Sequence, residues 1–176
     1  MQQDSSFNFE KQIQKFIQEQ SLVQLHFKSD PDHFHIGIMI SLGKGFFTFA
    51  DIIPNKNYLG IYIYPIDNLN FIRMKSEYLV DFVKKINFNE IKQQVNKDIA
   101  SLLKYSDKQG IEFLDFIDWL IAKRVAASFL LENNEIVEGL IIDYDDQNIL
   151  LVQEEHSQAI INLEEINNIF VKSQSS

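Results

Sequence analysis

The chain contains no cysteine, has fewer basic than acidic residues, and has no long apolar run. Without cysteine there is no disulfide framework and no thiolate chemistry, which suits a reducing compartment. Its 25 Asp and Glu against 16 Lys and Arg give a formal net charge of −9, which disfavours broad attraction to nucleic-acid phosphates or anionic lipid. Nowhere do about 18 uncharged apolar residues follow one another, and the first residues lack the basic start and apolar run of a signal peptide. We therefore expect a soluble cytoplasmic protein without a leader, a membrane partner or a DNA partner.

What the chain does have is an internal repeat and enough apolar residues to fill a core. Apolar residues make up 45% of the 176. A pattern of strand, turn and strand occurs twice and aligns Gly37 with Gly139, and further along Ile72 aligns with Ile169. A helical pattern precedes each copy. The repeated unit is therefore a helix followed by about five short strands.

The segment between the two copies has a helical period. Its apolar residues recur at steps of three and four, and Ser76 is a candidate N-cap. We expect a first helix and its strands over residues 1–75, a helical linker over 76–109, and a second helix and its strands over 110–172. Residues 173–176 are expected to form a disordered tail.

Part of the second copy resembles a known family. The points of similarity are an Arg-Val pair near the end of a helix, a strand "SFLLENN", Gly139 followed by Tyr144-Asp145, the run "ILL" and a closing Ser157-Gln158 turn. Over residues 124–158 the chain resembles the Sm-like proteins of the bacterial RNA-chaperone type, and the first copy matches as a diverged version. The resemblance implies an α+β fold of two tandem Sm-like or SH3-like small β-barrels, each preceded by a helix and joined by a helical linker.

The resemblance does not carry over the family's RNA pocket. Bacterial members have a Tyr-Lys-His cluster on the strand that lines the uridine-binding face, whereas this chain reads Ile161-Asn162-Leu163-Glu164 there. Gln147 stands where the family has an aromatic residue, so a stacking platform is missing as well. The resemblance instead implies the family's mode of assembly, in which exposed edge strands of neighbouring barrels pair into a ring. Two barrels in one chain could pair one edge internally and leave others to a partner.

Three of the four histidines lie around one turn. If the strands pair symmetrically about a turn that begins at Ser29, His26 faces His35, and both share the polar face with His33. Such a group could bind Zn²⁺ with a neighbouring aspartate as fourth ligand. The alternative is that these polar side chains only face water, and Lys28 beside them would repel a cation.

Two further groups are candidates for binding. Three carboxylates within Asp143–Asn148 can hold Mg²⁺ or Ca²⁺ or act as acid and base, but Asp and Asn also dominate hairpin turns. Tyr62 and Tyr64 share one face of a strand, and with Lys44 they could stack on bases or bind a peptide. The alternative for the tyrosines is ordinary surface.

No group of residues has the spacing of a catalytic motif, so we expect no enzyme activity and no cofactor. The function predicted first is a non-catalytic interaction or assembly module that works by strand-edge pairing, with a protein partner or a second copy of the chain. The alternative is binding of RNA or single-stranded nucleic acid, which the charge disfavours. A metal-dependent enzyme using the histidines or the aspartate turn is the third hypothesis.

Overall fold

The computed structural model describes residues 8–54, 57–104, 112–147 and 149–173. Its elements, in chain order, are α1 (Phe9–Glu19), β1 (Leu22–Phe27), β2 (Asp30–Leu42), β3 (Phe46–Ile53), β4 (Asn57–Pro65), a 3-10 turn (Ile66–Asn68), β5 (Leu69–Met74), α2 (Glu77–Val83), α3 (Phe88–Leu103), α4 (Phe113–Lys123), β6 (Ala126–Leu131), β7 (Ile136–Tyr144), β8 (Ile149–Gln153), β9 (Gln158–Asn162), a second 3-10 turn (Leu163–Glu165) and β10 (Ile166–Lys172). We call α1 to β5 the first half and α4 to β10 the second half.

The helices that open the two halves have matching ends. α1 and α4 are both 11 residues long, and each ends in a left-handed residue, Gln20 at φ 48° and Arg124 at φ 52°. The Asn8 side chain caps α1 by accepting a hydrogen bond from the backbone N–H of Lys11, and Glu112 forms a capping box with Asp115 at the start of α4. The two halves therefore begin with equivalent helices.

The strand order repeats as well. The sheet runs β5-β1-β2-β3-β4-β10-β6-β7-β8-β9, so the five strands of each half follow the same order. Gly37 and Gly139 hold equivalent places, because a methyl group on either would collide with a backbone carbonyl of the next strand, at Ala50 and Gln153 respectively. The bulges also match, since the pairing shifts between Met39 and Ser41 in β2 and between Ile141 and Asp143 in β7.

The expectation of two tandem small β-barrels joined by a helical linker was wrong. All ten strands form one antiparallel sheet, because β10 pairs with β4, with Ile169 opposite Ile63 and Phe170 opposite Tyr62. Alternation of apolar residues identifies strands but does not say which edges will pair. We call this pairing of β4 with β10 the junction.

The helices between the halves pack onto this sheet. Leu79 and Phe82 of α2, and Ile91 and Val95 of α3, are buried in the larger of two apolar clusters, which also takes in the buried face of α4. A smaller cluster packs α1 against the other face of the first half. The division of the chain into units at residues 75, 109 and 172 stays a prediction. Residues 105–111 and 174–176, including most of the expected tail, lie outside the described residues.

One polar contact ties two of the helices together. Trp119 of α4 is 4% exposed, and its indole N–H donates to the hydroxyl of Ser101 in α3 at 3.1 Å. A buried indole usually needs such a partner. The aromatic side chain in the middle of α4 therefore belongs to the packing between helices.

Candidate functional site

A cleft of about 450 Å³ opens at the junction and is lined by both halves of the chain. Asp30, His35, Tyr62 and Tyr64 line it from the first half, and Ser128, Glu138 and Phe170 from the second. We call it the junction cleft. It exists because β4 and β10 are neighbours in the sheet, so the side chains of one half come to face those of the other.

The two tyrosines were expected on an open surface, and that expectation was wrong. Tyr64 is only 3% exposed and Tyr62 is half-buried. Their rings stack with centroids 5.3 Å apart, Tyr62 also lies 4.5 Å from the Phe170 ring, and Tyr64 lies 4.1 Å from the Phe27 ring. The aromatic rings therefore form a continuous wall of the cleft that crosses the junction.

The tyrosine hydroxyls remain protonated to high pH. Burial, followed by the charge of Asp51, raises the pKa of Tyr62 to about 12, and burial also raises the pKa of Tyr64. Within the described residues neither hydroxyl has a hydrogen-bond partner. Each is thus a neutral donor and acceptor at physiological pH, open to a ligand in the cleft.

His35 also lies in this cleft, beside a buried carboxylate. Its Nδ1 is 3.4 Å from Oδ1 of Asp51, whose side chain is 6% exposed. The imidazole packs edge to face with the rings of Phe27 and Tyr62, with ring centroids 5.5 and 5.6 Å apart. The carboxylate of Asp51 and the aromatic rings together fix the orientation of His35.

The three histidines do not share one face, so the predicted register was wrong. His26 lies opposite Phe34, and His35 lies opposite Leu25, which places His26 and His35 on opposite faces of the sheet. The turn is formed by Lys28 and Ser29, and the pairing just before it shifts between His26 and Phe27. Shifting the pairing of a strand by one residue moves each of its side chains to the opposite face of the sheet.

The contacts of the other two histidines reflect this separation. His26 stacks on Phe71 at 3.9 Å, and its pKa is lowered by burial and then by Arg73. His33 is exposed and lies 2.7 Å from Asp30, whose hydrogen bond and charge raise its pKa. In the part of the chain that the structure describes, no group of three His, Asp or Glu residues is placed to hold a metal ion.

Lys44 does not line the junction cleft with the tyrosines that were named with it. It lines a different cleft between α1 and the β2–β3 turn, which neither Tyr62 nor Tyr64 lines. Its backbone nitrogen is 3.5 Å from a carboxylate oxygen of Glu112 at the start of α4. Lys44 therefore lies at the opening of the second half and not in the junction cleft.

The carboxylates at the end of β7 and just after it accept hydrogen bonds from the local backbone. Oδ1 of Asp145 accepts hydrogen bonds from the backbone N–H groups of Gln147 and Ile149, both at 2.9 Å, and Asp143 accepts one from Tyr144 at 2.9 Å. This is the geometry of a hairpin turn. Asn148, the last residue of the predicted stretch, lies outside the described residues.

Sequence reasoning missed the residues that the second half contributes to the cleft. Glu138 accepts a hydrogen bond from the Ser128 hydroxyl at 3.0 Å, across the pair formed by β6 and β7. Phe170 lies opposite Tyr62 across the junction. Nothing local in the sequence marks either residue, because their nearness to Tyr62 depends on which sheet edges pair.

Comparisons with protein-family models, curated proteins and solved structures gave no match. Of the helices in the described ranges, none has the length and apolar character needed to cross a membrane.

Proposed function

We propose that the chain is a non-catalytic assembly module in which sheet edges of successive copies pair with each other. The junction within the chain carries this proposal. It pairs β4, the last strand in the order of the first half, with β10, the first strand in the order of the second half. The two ends of the sheet are β5 and β9, the counterparts of β10 and β4. A second copy could therefore repeat the same pairing, with β9 of one copy beside β5 of the next.

The side chains at the free ends support this pairing. The two halves can be aligned residue by residue by following the strand pairings outward from Gly37 and Gly139. In this alignment Ile160 of β9 is the counterpart of Ile63 in β4, and Ile72 of β5 is the counterpart of Ile169 in β10. Ile63 is 3% exposed at the junction, whereas Ile160 on the free strand is 77% exposed. A large apolar side chain on an unpaired strand would be covered by a second copy.

Contacts beside the paired strands have counterparts too. At the junction the ring of Phe46 lies 4.6 Å from that of Phe113, which is 9% exposed. Their counterparts are Ile149, beside the β9 edge, and Phe9, which is 39% exposed beside the β5 edge. Because the pairing is head to tail, repetition gives a closed ring or a filament.

The proposal includes the Sm-like resemblance and a cytoplasmic location. Two halves that each consist of a helix and five strands support the resemblance, and the absence of cysteine supports the location. Binding of RNA finds no support in the junction cleft, since Lys and Arg are absent from the residues that line it.

The first test is the mass in solution, measured by light scattering on a sizing column with absorbance at 260 and 280 nm. We expect a mass of several chains, and Ile160→Lys should shift it toward a single chain because a charge on the edge opposes pairing. The matched control is Ile142→Lys, at a residue that is 46% exposed on the interior strand β7. A single-chain mass at every concentration would contradict the proposal, and nucleic acid retained on the column would favour the RNA alternative.

A disulfide test fixes the register. If the junction geometry repeats, Ala159 of one copy lies opposite Arg73 of the next, as Tyr62 lies opposite Phe170. Because the chain has no cysteine, Ala159→Cys with Arg73→Cys should give cross-linked chains on a non-reducing gel. Ala159→Cys with Met74→Cys is the control, since neighbouring residues of a strand point to opposite faces. Equal cross-linking by both pairs would reject this register.

A further inference from the structure

We propose that the junction cleft binds a cationic group, an alkylammonium or a guanidinium, against its carboxylates and its aromatic wall. This inference does not depend on assembly, because every residue involved belongs to one chain. Three observations carry it: the charge of the cleft, the aromatic rings that line it, and the Tyr64 hydroxyl, which has no hydrogen-bond partner among the described residues.

The charge of the cleft is negative. Asp30 lines it from the first half and Glu138 from the second, Asp51 is buried beside His35, and neither Lys nor Arg is among the residues that line the cleft. His35 beside Asp51 is the one titratable base in the lining. Carboxylates on two walls of one cleft favour a cation between them and disfavour phosphate or carboxylate ligands.

The aromatic wall supplies a second kind of attraction for the same group. The rings of Tyr62 and Phe170 are 4.5 Å apart and line the cleft from both sides of the junction. A cation over the face of such a ring gains from the ring quadrupole, and the gain is larger where water is partly excluded. The adjacent apolar surface suits the methylene groups that carry an ammonium or a guanidinium.

The hydroxyl of Tyr64 is free to bond a ligand in the cleft. Tyr64 is 3% exposed and lines the cleft, and within the described residues its hydroxyl has no hydrogen-bond partner. The hydroxyl oxygen is not one of the fully enclosed atoms, so it meets the water of the cleft, and a ligand that displaces this water keeps its affinity only if it supplies a hydrogen bond in return. An N–H of the cationic group can donate to this hydroxyl while its charge faces the carboxylates.

The size of the cleft limits the ligand. A volume of about 450 Å³ lies in the lower part of the range for small-molecule sites. It holds one side chain or a small amine and not a folded segment. The group could therefore belong to a free amine or to a lysine or arginine side chain of a peptide.

Isothermal titration calorimetry on the full chain at low salt tests the proposal. The probes are butylammonium, butylguanidinium, pentanoate as the anion of similar length, and lysine with both its amino and carboxyl termini blocked as amides. We expect both cations to bind more tightly than pentanoate and to weaken as salt is added. If the blocked lysine binds more tightly than butylammonium, the cationic group that the cleft takes belongs to a protein side chain. If butylammonium binds more tightly, the ligand is a free amine.

Variants tie the binding to the cleft. Glu138→Gln should weaken both cations about three- to tenfold, because it removes a charge and keeps the shape. Tyr62→Leu should weaken them about threefold or more through loss of the ring. The control is Glu155→Gln, at a carboxylate with 88% side-chain exposure outside the cleft. Far-UV circular dichroism confirms that each variant is folded. Equal binding of pentanoate and butylammonium, or cation binding that Glu138→Gln leaves unchanged, overturns the proposal.

Discussion

Strands β10 and β5 hold the same place in the two halves, yet their surroundings differ. β10 pairs with β6 on one side and β4 on the other, whereas β5 pairs with β1 alone. Ile169 and Val171 in β10 are 0% and 3% exposed. Their counterparts in β5 are Ile72, which is half-buried, and Met74, which is 38% exposed. The same strand position is therefore part of a core in one half and an open edge in the other.

Strands β4 and β9 show the same contrast. Ile63 in β4 is 3% exposed, and its counterpart Ile160 in β9 is 77% exposed. Natural proteins usually protect an edge strand with charge, proline or a covering element. Here the comparison teaches that burial is set by the neighbouring strand, because equivalent apolar residues have opposite exposures.

The largest expected effect comes from truncating the equivalent isoleucines of β10 and β5. Ile169→Ala should lower the free energy of unfolding by about 2–5 kcal/mol, because it leaves a cavity in a closed core. Ile72→Ala, at a half-buried position, should cost about 1–2 kcal/mol in the single chain. Urea unfolding monitored by circular dichroism measures both values. Equal losses would mean that the free edge is as well packed as the junction.

A smaller effect is expected where the backbones of the junction come closest. A methyl group at Gly60 would collide with the carbonyl oxygen of Val171 and approach the Cα of Lys172 at 2.9 Å. Gly60→Ala should therefore lower the free energy of unfolding by about 1–3 kcal/mol.

The matched variant for Gly60 is at its counterpart beside the free edge. Ser157→Ala removes one hydroxyl, which is bonded to Glu154 at 2.7 Å, and should change the free energy of unfolding by no more than about 0.5 kcal/mol. The same urea experiment compares the two variants. If Gly60→Ala changed the free energy of unfolding as little as Ser157→Ala, the backbones of β4 and β10 would not approach each other as closely as described.

The smallest expected effect is a pH dependence located at the free edge. His26 stacks on Phe71 of β5, and its folded-state pKa is below the unfolded value of 6.5. Its contribution to stability is therefore present above pH 6.5 and is lost as the pH falls through the folded-state pKa. The raised pKa of His33 acts in the opposite direction, with a contribution present below pH 6.5 and lost as the pH rises through its folded-state pKa.

Substitution separates these two contributions. His26→Gln in a His33→Asn background should reduce the loss of stability between neutral and mildly acid pH, as measured by the urea midpoint. His156→Gln in the same background is the control, since that side chain is 87% exposed in a loop. A pH profile that changes equally with both substitutions would remove His26 as the cause.

Much of the fold could be read from the local pattern. Periods of two and of three to four identified strands and helices, and the alignment of Gly37 with Gly139 and of Ile72 with Ile169 agrees with the paired strands. The sequence pattern could not predict that the two halves join into one sheet, because both edges of a strand carry the same backbone donors and acceptors.

The candidate site was predicted only in part for the same reason. Tyr62 and Tyr64 were named from the sequence for a ligand-binding site and His35 for a metal site, and the structure brings these three together. The histidine register failed because the turn at Lys28 and Ser29 is held from outside the hairpin, where the Asn68 backbone carbonyl and side chain accept hydrogen bonds from the two turn N–H groups at 2.8 and 3.0 Å. A contact between residues so far apart in the chain leaves no local signal.

The sequence by itself determined the elements, their repeat and the negative charge, because these depend on residue type and on spacing along the chain. Only the tertiary structure decided that β4 and β10 pair, that Tyr64 is buried while Ile160 is exposed, and that carboxylates from both halves line one cleft. The physical reason is that burial and electrostatic environment depend on which surfaces meet. In this chain, residues nearly identical in character meet a neighbouring strand in one half and none in the other.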